Sequence, residues 1–178
     1  EARGLSPGRR GRFLSRHARE ALRRSAERMR VDLGPLEKDA RGAPLPTNGL
    51  YWSVTHKPEY VGGVVAPTLV GLDLEKIRPC SEALFRKTAA AQEWALADGR
   101  DRELLFFRYW TAKEAVLKTG GEGIKDLSRC RVRRVVDAAH LLLDYAGRPW
   151  TVEQVFFDGH VASAAARGVR LEWVLTAL

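Results

Sequence analysis

The spacing of apolar residues changes period several times along the 178-residue chain. From Arg12 to about Met29, Phe13, Ala18, Leu22, Ala26 and Met29 recur among polar residues and predict a helix, with Ser6 as its cap and Pro7 in its first turn. Val31 to Asn48 holds Gly34, Gly42, Pro35, Pro44 and Pro46, which predicts a loop with at most a short strand. Leu50 to Val54 predicts a strand ending at Thr55-His56. Tyr60 to Ala66 and Leu69 to Glu75 predict a hairpin over Ala66-Pro67-Thr68, and Gly62 and Gly63 predict close approach of another backbone. Ser81 to about Asp98 reads as helix, with Phe85, Trp94 and Leu96 as core candidates. An amphipathic helix of about five turns follows, from an Asp101 cap to Gly120 at the C′ position. Leu104, Phe107, Trp110 or Thr111, Ala115, and Leu117 or Lys118 supply its apolar spacing. Short strands complete the chain: Cys130 to Val136, Leu141 to Tyr145, Thr151 to Phe157, Val161 to Ala166 and Val169 to Leu175, with turns at Gly147-Arg148-Pro149 and Asp158-Gly159.

Helices mixed with short antiparallel strands predict an α+β fold. The stretch from Tyr60 to Asp73 matches the stretch from His160 to Trp173 in pattern, at an offset of 100 residues. Small residues fill both first strands. The match predicts one domain made of two similar halves, about 1–79 and 80–178, each a helix on a mainly antiparallel sheet. The second copy has Trp173 and Leu175 where the first has Asp73 and Glu75, so one site would lie at the junction.

Charge sharpens this picture. Residues 1–30 hold ten arginines against Glu1, Glu20 and Glu27, which is +7 of the chain's net +8. Such a face attracts phosphates or an acidic partner. Nucleic acid is one reading, but the arginines are not interleaved with aromatics and the rest of the chain is nearly neutral. The longest mostly apolar run, Tyr60 to Leu74, is too short to span a bilayer, and no secretory signal is visible. Cys80 and Cys130 have neither metal nor redox spacing. A cytoplasmic protein without a membrane partner is the expectation.

Two clusters carry candidate chemistry. Asp73 and Glu75 alternate onto one strand face, about 7 Å apart, while Leu72 and Leu74 take the other. They read either as a solvated strand edge or as ligands of a hard divalent cation. Glu114 and Lys118 lie one turn apart on one helix face with Lys113 beside them, and Gly120-Gly121-Glu122-Gly123 closes the helix. Alone, that pair reads as an ordinary surface ion pair.

Taken together these residues form a recognisable pattern. Val70-Gly71-Leu72-Asp73-Leu74-Glu75-Lys76, then Trp110-x-x-Lys113-Glu114-Ala115-x-x-Lys118-x-x-Gly121-x-Gly123, resembles the 4′-phosphopantetheinyl transferase family. Ser53-Val54-Thr55-His56 resembles its N-x-S-H segment, and Leu5-Ser6-Pro7 with the arginines after it resembles the start of its single-chain, Sfp-like branch. The resemblance implies a pseudo-dimeric α+β fold. It implies transfer of the phosphopantetheine arm of coenzyme A to a serine of an acyl or peptidyl carrier protein, in the manner of a holo-acyl-carrier-protein synthase, with release of 3′,5′-ADP.

By the same resemblance Asp73, Glu75 and Glu114 are Mg²⁺ ligands, with Mn²⁺ as the alternative ion. Lys113 and Lys118 contact phosphate, and Thr55 and His56 contact coenzyme A. Arg9 and Arg12 lie near the coenzyme's 3′-phosphate, and Lys38, Arg41 and Gly42 fall on a G-K-P segment. Glu93 resembles a further family glutamate. Thr55 stands where the family has serine, Ser53 where asparagine is common, and Ala43 in place of the lysine of G-K-P. Glu114 and Lys118 are the catalytic candidates, as base and as stabiliser of developing charge. The partners implied are coenzyme A and an acidic carrier, acting on a monomer with no nucleic acid. The alternatives are a nucleic-acid module built on the arginine-rich helix and a non-catalytic relative that binds coenzyme A or a carrier.

Overall fold

The computed structural model describes residues 6–97, 101–120 and 127–176. Gly121, Glu122 and Gly123 of the motif, Leu5 before the first helix, and Asp98 lie outside the described residues. Helix α1 spans Pro7–Met29, with the proline in its first turn and Arg30 closing it in the left-handed region at φ 56°. Leu14, Ala18, Leu22 and Ala26 form its buried stripe. Phe13 is half-buried and Met29 exposed, so the apolar stripe begins one residue later than predicted. Residues 31–50 run as a loop, with isolated bridges Lys38↔Pro44 and Thr47↔Leu50.

Strands β1 (Tyr51–His56) and β2 (Val61–Ala66) pair antiparallel, Tyr51 opposite Ala66 and His56 opposite Val61. Strand β3 (Val70–Lys76) pairs with β7 (His160–Ala166), not with β2. The hairpin predicted over Ala66-Pro67-Thr68 therefore does not form. The β2 ladder is taken up by β1, and Leu72 N–H of β3 donates to the Ser53 hydroxyl of β1 at 3.0 Å. Strands β4 (Arg131–Val135), β5 (His140–Tyr145) and β6 (Arg148–Phe157) complete a five-stranded sheet in the order β3-β7-β6-β5-β4. The sheets thus divide the chain between β2 and β3. The β2-like strand β7 exists, but residues 169–175 form no strand. Arg28 holds Glu172 at 2.7 Å and Glu153 accepts from the Trp173 indole N–H, so side chains tie that segment down.

The run predicted as one helix over Ser81 to Asp98 breaks at Ala89-Ala90, both extended. It gives α2 (Glu82–Thr88), α3 (Ala91–Trp94) and a 3-10 turn over Ala95–Ala97. The cause is Glu93, whose carboxylate accepts from Ala90 N–H at 2.9 Å and Val132 N–H at 2.6 Å. Phe85 is buried and Trp94 partly so, whereas Leu96 is exposed.

Helix α4 (Arg102–Thr119) is the spine of the larger sheet. The Asp101 carboxylate caps it, accepting from Leu104 N–H at 2.9 Å. Ala112, Ala115, Val116 and Leu117 pack fully buried with Leu141, Leu143, Val152 and Ala165. A smaller core of Leu22, Ala26, Trp52 and Val65 lies under α1. Two glycines set the helix–strand spacing. A Cβ on Gly63 would lie 2.4 Å from Leu22 N, and one on Gly71 would lie 1.8 Å from the Ala115 carbonyl oxygen. The close approach predicted for the Gly62-Gly63 pair is thus found at Gly63. These elements form an α+β fold of helices on antiparallel sheets.

Candidate active site

Gly71, Asp73 and Glu75 share one face of β3, and the missing Cβ at residue 71 lets that face press against α4. Almost every residue of α4 from Leu105 to Thr119 is buried. The exceptions, Trp110, Glu114 and Lys118, are half-buried and fall at spacings of four, which makes one stripe. The last two members of that stripe meet β3.

Asp73 is buried, and its Oδ1 accepts from Lys118 Nζ at 2.7 Å and from the Thr55 hydroxyl at 3.4 Å. Lys118 Nζ also donates to the Leu72 carbonyl at 2.9 Å. The ordinary i,i+4 pairing of Lys118 with Glu114 is therefore not what it makes. Asp73 Oδ2 and Glu114 Oε1 are both buried without a hydrogen-bond partner. Burial, and then the charge of Asp73, push the Glu114 carboxyl up to about 7, with Glu75 adding to the rise and Lys118 and Lys57 opposing it. Glu75 is ion-paired at 2.6 Å to Lys57, a residue the sequence reading did not single out. It follows His56 directly, in the turn between β1 and β2.

His56 ends β1, and partial desolvation of its imidazole, then the charges of Lys57, Lys118 and Lys38, hold it below its usual range. A cleft of about 180 Å³ is lined by Arg41, Pro44, Tyr51, Trp52, Lys118 and Thr119, so the loop before β1 and the end of α4 share a wall. Gly42, at φ +84°, makes the loop's turn, with Asp39 Oδ1 accepting from Arg41 and Ala43 N–H. Those bonds, Ala43 first, hold the Asp39 carboxyl below its usual range.

Three further residues of the expected set make no hydrogen bond to the Asp73 cluster. Lys113 is fully buried, with Nζ donating to the Thr88 carbonyl at 2.8 Å and to Glu93 at 2.9 and 3.1 Å. The amine is thus spent inside the core, where burial lowers its pKa more than Glu93 raises it. Adjacent helix positions point about 100° apart, and here Lys113 turns toward Thr88 and Glu93 while Glu114 turns toward β3. Arg9 and Arg12 are exposed in the first turns of α1 and make none of the hydrogen bonds of the Asp73 cluster.

The donor chemistry fits a hard divalent cation at Asp73 and Glu114, because each offers a buried carboxylate oxygen with nothing bound to it. As the side chains stand, no three His, Cys, Asp or Glu residues are gathered closely enough to hold an ion, among the described residues. Glu75 is drawn instead to Lys57.

The sequence model of the 4′-phosphopantetheinyl transferase superfamily matches residues 69–165, which run from the start of β3 almost to the end of β7. The chain is similar to 4′-phosphopantetheinyl transferase HetI of Nostoc sp. (strain PCC 7120 / SAG 25.82 / UTEX 2576), at 32% identity over 105 residues, 53% of this chain and 44% of that protein. It is similar to 4′-phosphopantetheinyl transferase psf-1 of Bacillus pumilus, at 31% identity over 93 residues, 49% of this chain and 40% of that protein. The matched stretch thus spans less than half the length of either relative. With more than half of its residues under the superfamily's sequence model, and with the model's limits enclosing both β3 and α4, the chain belongs to the 4′-phosphopantetheinyl transferase superfamily.

Proposed function

We propose that the protein transfers the 4′-phosphopantetheine arm of coenzyme A to a serine hydroxyl of an acyl or peptidyl carrier protein, as both similar proteins are named to do at the level of the arm. The carrying observation is the pair of unpartnered, buried carboxylate oxygens of Asp73 and Glu114 beside the Lys118 ammonium. Acids and an amine so placed suit a diphosphate together with its counter-ion. Asp73 and Glu114, joined by Glu75, would hold Mg²⁺ or Mn²⁺, which when bound neutralises diphosphate charge.

The chain's own groups supply the rest. Lys118 reaches the cleft while its ammonium is fixed by Asp73 and the Leu72 carbonyl, so it is set to donate to a phosphoryl oxygen. The serine oxygen forms a bond to the phosphorus that carries the pantetheine arm, and the phosphoanhydride bond to 3′,5′-ADP breaks. Glu114, whose Oε1 is buried with no hydrogen-bond partner, is the candidate to take the serine proton. In this reading Lys38, Arg41 and His56 serve the coenzyme's phosphates; Arg41 lines the same cleft as Lys118, which supports its part. The arginine face of α1 attracts an acidic carrier.

Incubation with coenzyme A, Mg²⁺ and a panel of apo-carriers tests this reading. A carrier gaining the mass of the phosphopantetheine arm supports it, and the gain should vanish with Asp73→Asn. Absence of any gain across acyl and peptidyl carriers, with the protein folded, overturns it.

A further inference from the structure

We propose that Lys57 is a positioning residue that occupies Glu75 in place of the divalent cation and must leave for that cation to bind all three carboxylates. The inference rests on the divalent-cation reading above. Two lysines touch the acids of this region and a third, Lys113, pairs with Glu93 in the core; the three are held very differently. Lys113 is fully buried with the Thr88 carbonyl and Glu93 as acceptors. Lys118 is anchored twice, by Asp73 and by the Leu72 carbonyl. Lys57 has Glu75 as its one hydrogen-bond or ion-pair partner through Nζ, among the described residues.

Lys57 also sits in a turn, its backbone N–H donating to the Tyr60 carbonyl at 2.7 Å, with the side chain 31% exposed. A flexible four-carbon stem ending at the solvent boundary moves at low cost. Glu75 is the more enclosed partner, with its side chain 15% exposed and no other hydrogen bond or ion pair among the described residues. Deprived of Lys57, it would lie close to Asp73 and Glu114 with only Lys118 as a counter-charge.

Two ammonium groups thus balance three carboxylates, and one of those ammoniums is releasable. The arrangement explains why no three-acid cluster is gathered although Asp73 and Glu114 each keep an oxygen open. A dication arriving at Asp73 and Glu114 competes with Lys57 for Glu75. Removing the competitor must then tighten cation binding, an effect opposite in sign to that expected from damaging a structural brace.

The test is titration of the protein with Mn²⁺ alone, following the electron paramagnetic resonance signal of the free ion. Lys57→Ala should bind up to roughly fivefold more tightly than wild type, the upper end expected for loss of a partly exposed ion pair. Lys57→Arg should stay near wild type. Lys76→Ala, which removes the same charge from the nearby Glu59 pair, should also stay near wild type. Equal or weaker binding by Lys57→Ala overturns the proposal, as does equal tightening by Lys76→Ala. If wild type binds Mn²⁺ and Asp73→Asn abolishes it while Lys57→Ala changes nothing, the cation site stands and the role of Lys57 falls. If wild type shows no binding that Asp73→Asn weakens, both fall together.

Discussion

Glu114 carries its charge at an energetic cost. Its carboxyl, ordinarily near 4.5, is pushed up to about 7 by burial and by Asp73. Between those two values the folded protein binds a proton that the unfolded chain has released. The metal-free protein should therefore lose stability as pH rises from about 4.5 to about 7, then level off. Glu114→Gln should flatten that slope, and chemical unfolding of chelator-treated protein across this range checks it. Gly71 is the other decisive single residue. Because a Cβ there would meet the Ala115 carbonyl oxygen at 1.8 Å, Gly71→Ala must part β3 from α4. It should lower stability by about 1–3 kcal/mol, as overpacking does, and weaken Mn²⁺ binding along with carrier loading. Unchanged unfolding free energy and unchanged binding in this variant would contradict the close contact.

At the scale of elements, α4 faces two ways. Glu114 and Lys118 of its half-buried stripe meet the site, while Lys113, one position from Glu114, clamps α4 to the α2–α3 segment through Thr88 and Glu93. Removing Lys113 leaves the Glu93 charge buried with only N–H donors. Lys113→Ala should cost about 3–5 kcal/mol, as breaking a buried ion pair does, while Mn²⁺ affinity of the folded fraction persists. Weaker coenzyme binding at full stability would instead restore the phosphate contact. The limits of α4, its Asp101 cap and the shared face of Asp73 and Glu75 were legible from residue types and period. The direction of Lys113 was not, because α4 is buried nearly all round and its pattern marks no single wet face. Nor was the break at Ala89-Ala90, since alanine favours helix and only the distant Val132 N–H and Lys113 hold Glu93 where it caps α3.

Across the whole molecule, the placement of β3 matters most. Period-two alternation identified it as a strand but could not say which edge it would join. Its pairing with β7, almost ninety residues away, puts the acids of β3 under the helix of the larger sheet. The Lys57–Glu75 pair escaped notice for the same reason: it joins a turn to a strand across space. The arginine face of α1 acts at this scale too. If it steers an acidic carrier, loading at low carrier concentration should fall as salt rises while kcat holds, and Arg16→Glu with Arg19→Glu should raise KM alone. No helix among the described residues is long and apolar enough to cross a membrane.

The most direct measurement is the anomalous scattering of Mn²⁺ in crystals grown with that ion. The account predicts one peak within coordination distance of Asp73 Oδ2 and Glu114 Oε1, with Glu75 turned in and Lys57 released. A well-ordered site with both oxygens free of metal, or a peak bound by other residues alone, would contradict it.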